Sequence, residues 1–122
     1  MVLWLALAGG LGAVARLVLD GAVRQRVHGY PLGTVLVNLT GSLLLGLIAG
    51  LAAGAVLSPS VQLVAGSGFL GGYTTFSTAS VETVRLVRDH RWGAALLHGL
   101  GMLVGSVALA ALGWGLGALA TH

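Results

Sequence analysis

Between Leu32 and Leu57 the chain carries no charged side chain, and three further stretches are almost as bare. Val2 to Leu19 is interrupted only by Arg16, Val61 to Val87 is uncharged until Glu82, and Trp92 to Ala120 holds His98 as its one ionisable group. A helix needs roughly 20 mostly apolar residues to cross a bilayer core, so each stretch suffices for one crossing. Together they consume nearly all of the 122 residues. Only 7% of residues are charged, against about 25% in an ordinary soluble domain, and mean hydropathy is +0.98. Six Arg, two Asp and one Glu cannot clothe a water-facing surface, and a chain this apolar does not stay disordered. The sequence predicts a single all-α membrane domain, residues 1–122, with four transmembrane helices near 2–26, 32–57, 60–88 and 92–120.

The punctuation agrees. Tyr30-Pro31 and Ser58-Pro59 precede the second and third runs, with Ser58 placed to cap and Pro59 at the first helical position. Trp4, Tyr30, Trp92 and Trp114 fall near helix ends, where amphipathic rings favour the headgroup layer. No basic residue precedes the first apolar run, so it reads as a retained helix rather than a signal peptide. Arg24 and Arg26 lie in the first loop and Arg85, Arg88 and Arg91 around the third, while the opposite side has no Lys or Arg. The positive-inside rule puts the Arg-bearing loops in the cytoplasm and both termini outside. With no basic stripe or aromatic platform, nucleic acid is not an expected partner.

Twenty-one glycines suggest close helix packing, because small residues let backbones approach in lipid. Ser42, Gly46, Gly50 and Gly54 repeat every four residues on the second helix, and Gly101/Gly105 and Gly113/Gly117 form GxxxG pairs on the fourth. For most of these glycines packing alone is the plain reading, yet two such smooth faces on so small a protein also suggest a tight interface with another subunit.

Polar side chains at membrane depth are costly and mark functional candidates. Asn38 needs a partner and offers two N–H donors; it reads either as an interhelical hydrogen bond or as an amide facing an anion. Gly71-Gly72 followed by Thr74-Thr75 is poor helix material near the middle of the third run. A broken helix is tolerated there only if it is buried or lines a cavity; it reads either as a kink with no ligand or as a break whose loose peptide ends hold ions. His98, Met102 and Ser106 form a stripe on the fourth helix, with His98 either a packed neutral ring or part of a wet path. Arg16 and Asp20, four apart, read as an interfacial ion pair or as an anion-attracting vestibule. With no cysteine, no HExxH, no P-loop and no sensibly placed Ser/His/Asp set, enzymatic chemistry is not expected.

These residues resemble the Fluc (CrcB) fluoride channel family over nearly the whole chain. The resemblance rests on Gly9-Gly10-Leu11-Gly12-Ala13-Val14-Ala15-Arg16, on Gly33-Thr34-Val35-Leu36-Val37-Asn38, and above all on Gly68-Phe69-Leu70-Gly71-Gly72-Tyr73-Thr74-Thr75-Phe76-Ser77-Thr78. It implies an antiparallel dimer of four-helix protomers in a bacterial plasma membrane, the third helix broken near the bilayer centre, with two narrow fluoride pathways along the interface. On that resemblance Asn38 faces the pore, Phe76 presents a ring edge to the ion, and Ser77, Thr78 and Glu82 handle it further along. His98, Met102 and Ser106 match a polar track on the fourth helix, and Arg16 is a further pathway candidate. The carbonyls of Gly71 and Thr74 match ligands of a structural sodium ion on the dimer axis. The implied mechanism is passive: HF enters the cell and dissociates, and fluoride leaves down its gradient.

Two departures from the family pattern stand out. Ala79 occupies the place of a second pore phenylalanine, and His98 and Met102 stand where hydroxyl or other polar side chains are common. An antiparallel homodimer favours balanced loops, whereas five Arg against none favours one orientation; the expectation is one half of a heterodimer, with a homodimer as the alternative. Two other functions compete. A small-multidrug-type exporter would need a membrane-embedded carboxylate in its first helix, and a non-transporting assembly subunit would leave Asn38 and the Thr/Phe-rich break unexplained.

Overall fold

The computed structural model describes every residue except 28–31, 55–56, 75 and 122, and the side chains of residues 76–78 also fall outside the description. Its elements are α1 (Val2–Arg24), α2 (Leu32–Ala53), α3 (Pro59–Gln62), a π-helical segment (Leu63–Leu70), α4 (Gly71–Tyr73), α5 (Phe76–Arg88) and α6 (Trp92–Leu119). Among the described residues α1, α2 and α6 are long and apolar enough to cross a membrane. In lipid a backbone must satisfy its own polar groups, and a helix does so within the segment. That is why runs rich in Gly and Val still form long helices.

The expected ends shift slightly. The first helix stops at Arg24 rather than 26, and the second stops at Ala53, with Gly54 in a turn. Ser58 caps α3, its side chain accepting from the Val61 amide at 3.2 Å, with Pro59 in the first turn. From Pro59 to Tyr73 the backbone stays helical, loosened to π geometry for eight residues. Thr74 is then extended (φ −83°, ψ 156°), and helix resumes at Phe76. α5 has 13 residues, about 20 Å of rise, which is too short to cross a bilayer alone.

α2 and α6 form the most extensive pair in the molecule. They run parallel: Gly46 lies on the Ala110 carbonyl, Gly50 on Trp114 and Gly54 on Thr121, while Gly113 and Gly117 lie on the backbone near Leu43, Leu47 and Leu51. The plain packing reading of these stripes holds, and they are not two faces left free for another subunit. Most of those glycines are used within the chain, one stripe closing on the other, whereas Gly101 stays clear of other helices.

α1 packs on the π segment and α4, also in parallel. Gly68 meets Leu5 and Ala8, Gly72 lies on the Gly9 carbonyl, and Gly12 on the Phe69 carbonyl. A small buried cluster of Val37, Leu70 and Tyr73 joins α2 to this pair, with Ala15, Leu19, Ile48 and Phe69 against it. The Tyr73 hydroxyl lies 3.0 Å from Thr40 Oγ1, a polar tie across the same junction. Large apolar side chains face outward instead, Leu3, Leu7, Leu11, Val14 and Val18 on α1 among them. Only a lipid solvent makes that arrangement favourable.

The contacts also fix which ends lie together. Asp20 abuts Gly33, and Thr34 donates to Glu82, so the end of α1, the start of α2 and the later part of α5 meet at one end. Arg24, Arg85 and Arg88 gather there, in the last turns of α1 and α5, where cations complement the helix dipole.

Candidate functional site

Thr34, Asn38 and Ser42 are four residues apart on α2 and therefore share a face. Opposite them stand the interrupted segment and α6. Three adjoining grooves, of about 440, 370 and 440 Å³, lie along this side of the molecule. The first is lined by Ala79, Ser80 and Thr83 of α5 with Met102 of α6. The second is lined by Gly41, Ser42, Ser67, Gly71 and Thr74. Asn38 and Ser106 belong to both and form the ridge between them. The third shares Leu45, Gly66 and Ser67 with the second and reaches Gln62 and Pro59. The grooves thus run from Thr83, midway along α5, to Pro59 at the start of α3.

The donors along this track are unequal. Thr74 Oγ1 donates to the Leu70 carbonyl and Thr83 Oγ1 to the Ala79 carbonyl, both at 2.9 Å, so these protons serve the helices. Such back-bonding is what threonine does within a helix. Asn38 Nδ2 instead donates across to Met102 Sδ at 3.2 Å, a bond between α2 and α6.

The structure places the other candidates as follows. His98 is wholly buried and is not among the described lining residues of the grooves. Glu82 is half-buried and accepts from the buried Thr34 hydroxyl. Arg16 does not pair with Asp20, because Asp20 is bonded to Arg24 at 3.0 Å. Arg16 Nε instead reaches the Gly72 carbonyl at 3.4 Å, bridging α1 to the turn before the interruption. Gly71 and Thr74 face the second groove, and a methyl at Gly71 would meet nothing. The side chains of Phe76, Ser77 and Thr78 lie outside the described residues.

Sequence reasoning passed over Thr34, Ser67, Ser80 and Thr83 as site residues. The four-residue spacing of Thr34, Asn38 and Ser42 was available as a signal. Nothing in the spacing singled out Ser67, Ser80 or Thr83 among the hydroxyls of the third run.

Long apolar helices around a small core, apolar side chains turned outward and a grooved flank that carries a few polar side chains define a multi-pass helical membrane protein with a candidate ion path. The sequence profile described as "CrcB-like protein, Camphor Resistance (CrcB)" matches residues 3–114, and the chain belongs to that family. It is 54% identical over 121 residues to Fluoride-specific ion channel FluC 1 of Leifsonia xyli subsp. xyli, covering 98% of this chain and 88% of the relative. It is 48% identical over 118 residues to Fluoride-specific ion channel FluC 2 of Cutibacterium acnes, covering 95% and 96%. For the FluC 2 of Moorella thermoacetica the identity is 44% over 113 residues, covering 92% of each. The relatives are named as ion channels, and the chain is not an enzyme.

Proposed function

We propose that this chain is a subunit of a fluoride-selective channel that lets fluoride leave the cytoplasm passively. The observation that carries the reading is the succession of three adjoining grooves, with an amide and a hydroxyl, Asn38 and Ser106, shared by the first two. Polar groups lining an open flank at membrane depth are costly against lipid. The flank therefore calls for a cover, and a second four-helix protomer closing over it would turn open grooves into narrow conduits. The names of the relatives supply the ion. Selectivity then follows from pore width and from donors that replace the hydration shell.

In this reading Pro59–Arg88 is one crossing, the third of four, broken at Thr74 near the bilayer centre, and the Arg-bearing end is cytoplasmic in a bacterial plasma membrane. The partner is antiparallel, and the one-sided arginines favour a heterodimer over a homodimer. Ala79 on the groove wall, in place of a phenylalanine, fits a chain whose partner completes the aromatic pair. Glu82, tied to Thr34, and Arg16, tied to the turn at Gly72, shape the path from its margins. His98 supports Met102 and Ser106 from one turn and two turns away on α6. Phe76, Ser77 and Thr78 keep the roles that the resemblance gives them.

A structural sodium ion at the dimer axis is part of the same proposal. The donor set fits: Gly71 and Thr74 would offer peptide oxygens, the ligands that cation filters use, at an open-sided helix interruption. Four such oxygens need two protomers. The ion would pin the two interruptions together and would not itself be transported.

Fluoride efflux from proteoliposomes, with and without a proton gradient, tests the function. A channel passes fluoride without the gradient. Asn38→Asp, nearly isosteric, should cut flux at least about a hundredfold, because like charges about 4 Å apart at an effective dielectric near 20 repel by about 4 kcal/mol. Undiminished flux in that variant would remove Asn38 from the path.

A further inference from the structure

Met102 departs from the chemistry of the track it interrupts. The polar side chains beside it on the first groove are an amide and hydroxyls, set among Ala79, Gly99 and Leu103, yet it is a buried thioether whose sulfur lies 3.2 Å from Asn38 Nδ2. A thioether is a weak acceptor and carries no proton to give an anion. We infer that Met102 is a positioning residue for Asn38: its sulfur is a placeholder acceptor that keeps the amide N–H directed across the groove and yields it when a fluoride ion arrives. The inference rests on the channel reading above.

The physical case is one of graded acceptor strength. Without the sulfur, the N–H that now crosses to α6 would be released to another acceptor, a backbone carbonyl or a water, and either would misdirect the donor. A strong acceptor in the sulfur's place would hold the N–H against the ion. A thioether lies between these limits, and a bond to an anion is about twice as strong as a neutral one, so the amide N–H prefers fluoride to the sulfur once the ion has reached the groove. Methionine also has the torsional freedom to withdraw its sulfur without moving the helix. The contact joins α2 to α6 one turn from Gly105, which lies against Leu39, so both backbones are held close while the two side chains exchange partners.

The test uses a fact of composition: the chain has two methionines, Met1 and Met102, so selenomethionine labelling places one selenium inside the protein. Selenium keeps the shape and the acceptor, and labelled protein should conduct as the unlabelled protein does. Its internal selenium-77 resonance should move on adding sodium fluoride and stay fixed with sodium chloride. In liposomes, Met102→Leu, which conserves volume without an acceptor, should lower flux at sub-saturating fluoride about fivefold, the effect of one ordinary hydrogen bond. It should shift the fluoride dependence to higher concentration. Met102→Gln, with a stronger acceptor, should also lower flux, so that methionine stands at a maximum.

If the parent protein conducts while Met102→Leu matches it in rate and fluoride dependence, or the resonance ignores fluoride, the placeholder role is overturned and the channel reading survives. If the parent protein passes no fluoride, the channel reading itself fails and this role fails with it. Should Met102→Leu not fold, the selenium resonance of the unmutated sequence decides alone.

Discussion

Two seams of this molecule are built from the same small residues and behave oppositely. Along α2 and α6, Gly46, Gly50, Gly113 and Gly117 bring backbone onto backbone, and an added methyl would collide with main-chain atoms. Along the grooved flank, Gly66 and Gly71 leave space: a methyl at Gly71 meets nothing, and one at Gly66 meets only the tip of Leu45, at 3.6 Å. The first seam is dry and closed, and its glycines let van der Waals packing substitute for a hydrophobic drive that lipid does not provide. The second is open and lined with Asn38, Ser42, Ser67 and Ser106. A stripe of small residues in a membrane helix is therefore not in itself a subunit interface. It becomes one only when no helix of the same chain has already filled it.

Substitution at the closed seam should have the largest effect on stability. Gly46→Ala or Gly113→Ala should destabilise the protein by about 1–3 kcal/mol, the usual cost of overpacking a filled site, read as a lower thermal midpoint in detergent. A neutral result at both would show that α2 and α6 are not in backbone contact. Gly71→Ala should change the stability of the isolated chain by no more than about 1 kcal/mol, and in the favourable direction. The position has helical φ and ψ, and alanine outranks glycine in a helix. Any larger loss, seen only at protein concentrations where subunits associate, would locate a second copy on the open flank. Smallest of all, Asp20→Asn should cost about 0.5 kcal/mol or less. Its partner Arg24 has a side chain 70% exposed, and surface pairs four apart contribute little. A greater effect would mean that this end is more deeply covered than its exposure indicates.

Much of the fold was legible because the bilayer imposes one crude rule. Uninterrupted apolar runs become helices, and α1, α2 and α6 lie where the charge-free stretches lie. The unfavourable Gly71-Gly72 and Thr74-Thr75 sequence pointed to the place where Thr74 turns extended. The site was legible in part. Asn38 and Ser106 are on the groove, whereas His98 is buried away from it. A four-residue period identifies a helix face but not the depth to which each member sinks. The pairing of Asp20 shows the same limit. Arg16 and Arg24 are both four residues away, and an acid placed before its base is the better order on a helix, a preference that points to Arg24. The structure adds the second reason: Arg16 is drawn off to the Gly72 carbonyl, a residue 56 positions distant.

By itself, then, the sequence determined the solvent, the helices and the side on which the arginines gather, because hydropathy and charge act locally and sum along the chain. Only the tertiary structure decided which glycine stripe closes and which flank stays open. It also decided that the amide of Asn38 meets the sulfur of Met102. Those outcomes depend on which helices become neighbours, and contact between segments distant in sequence is settled by packing, which no local pattern encodes.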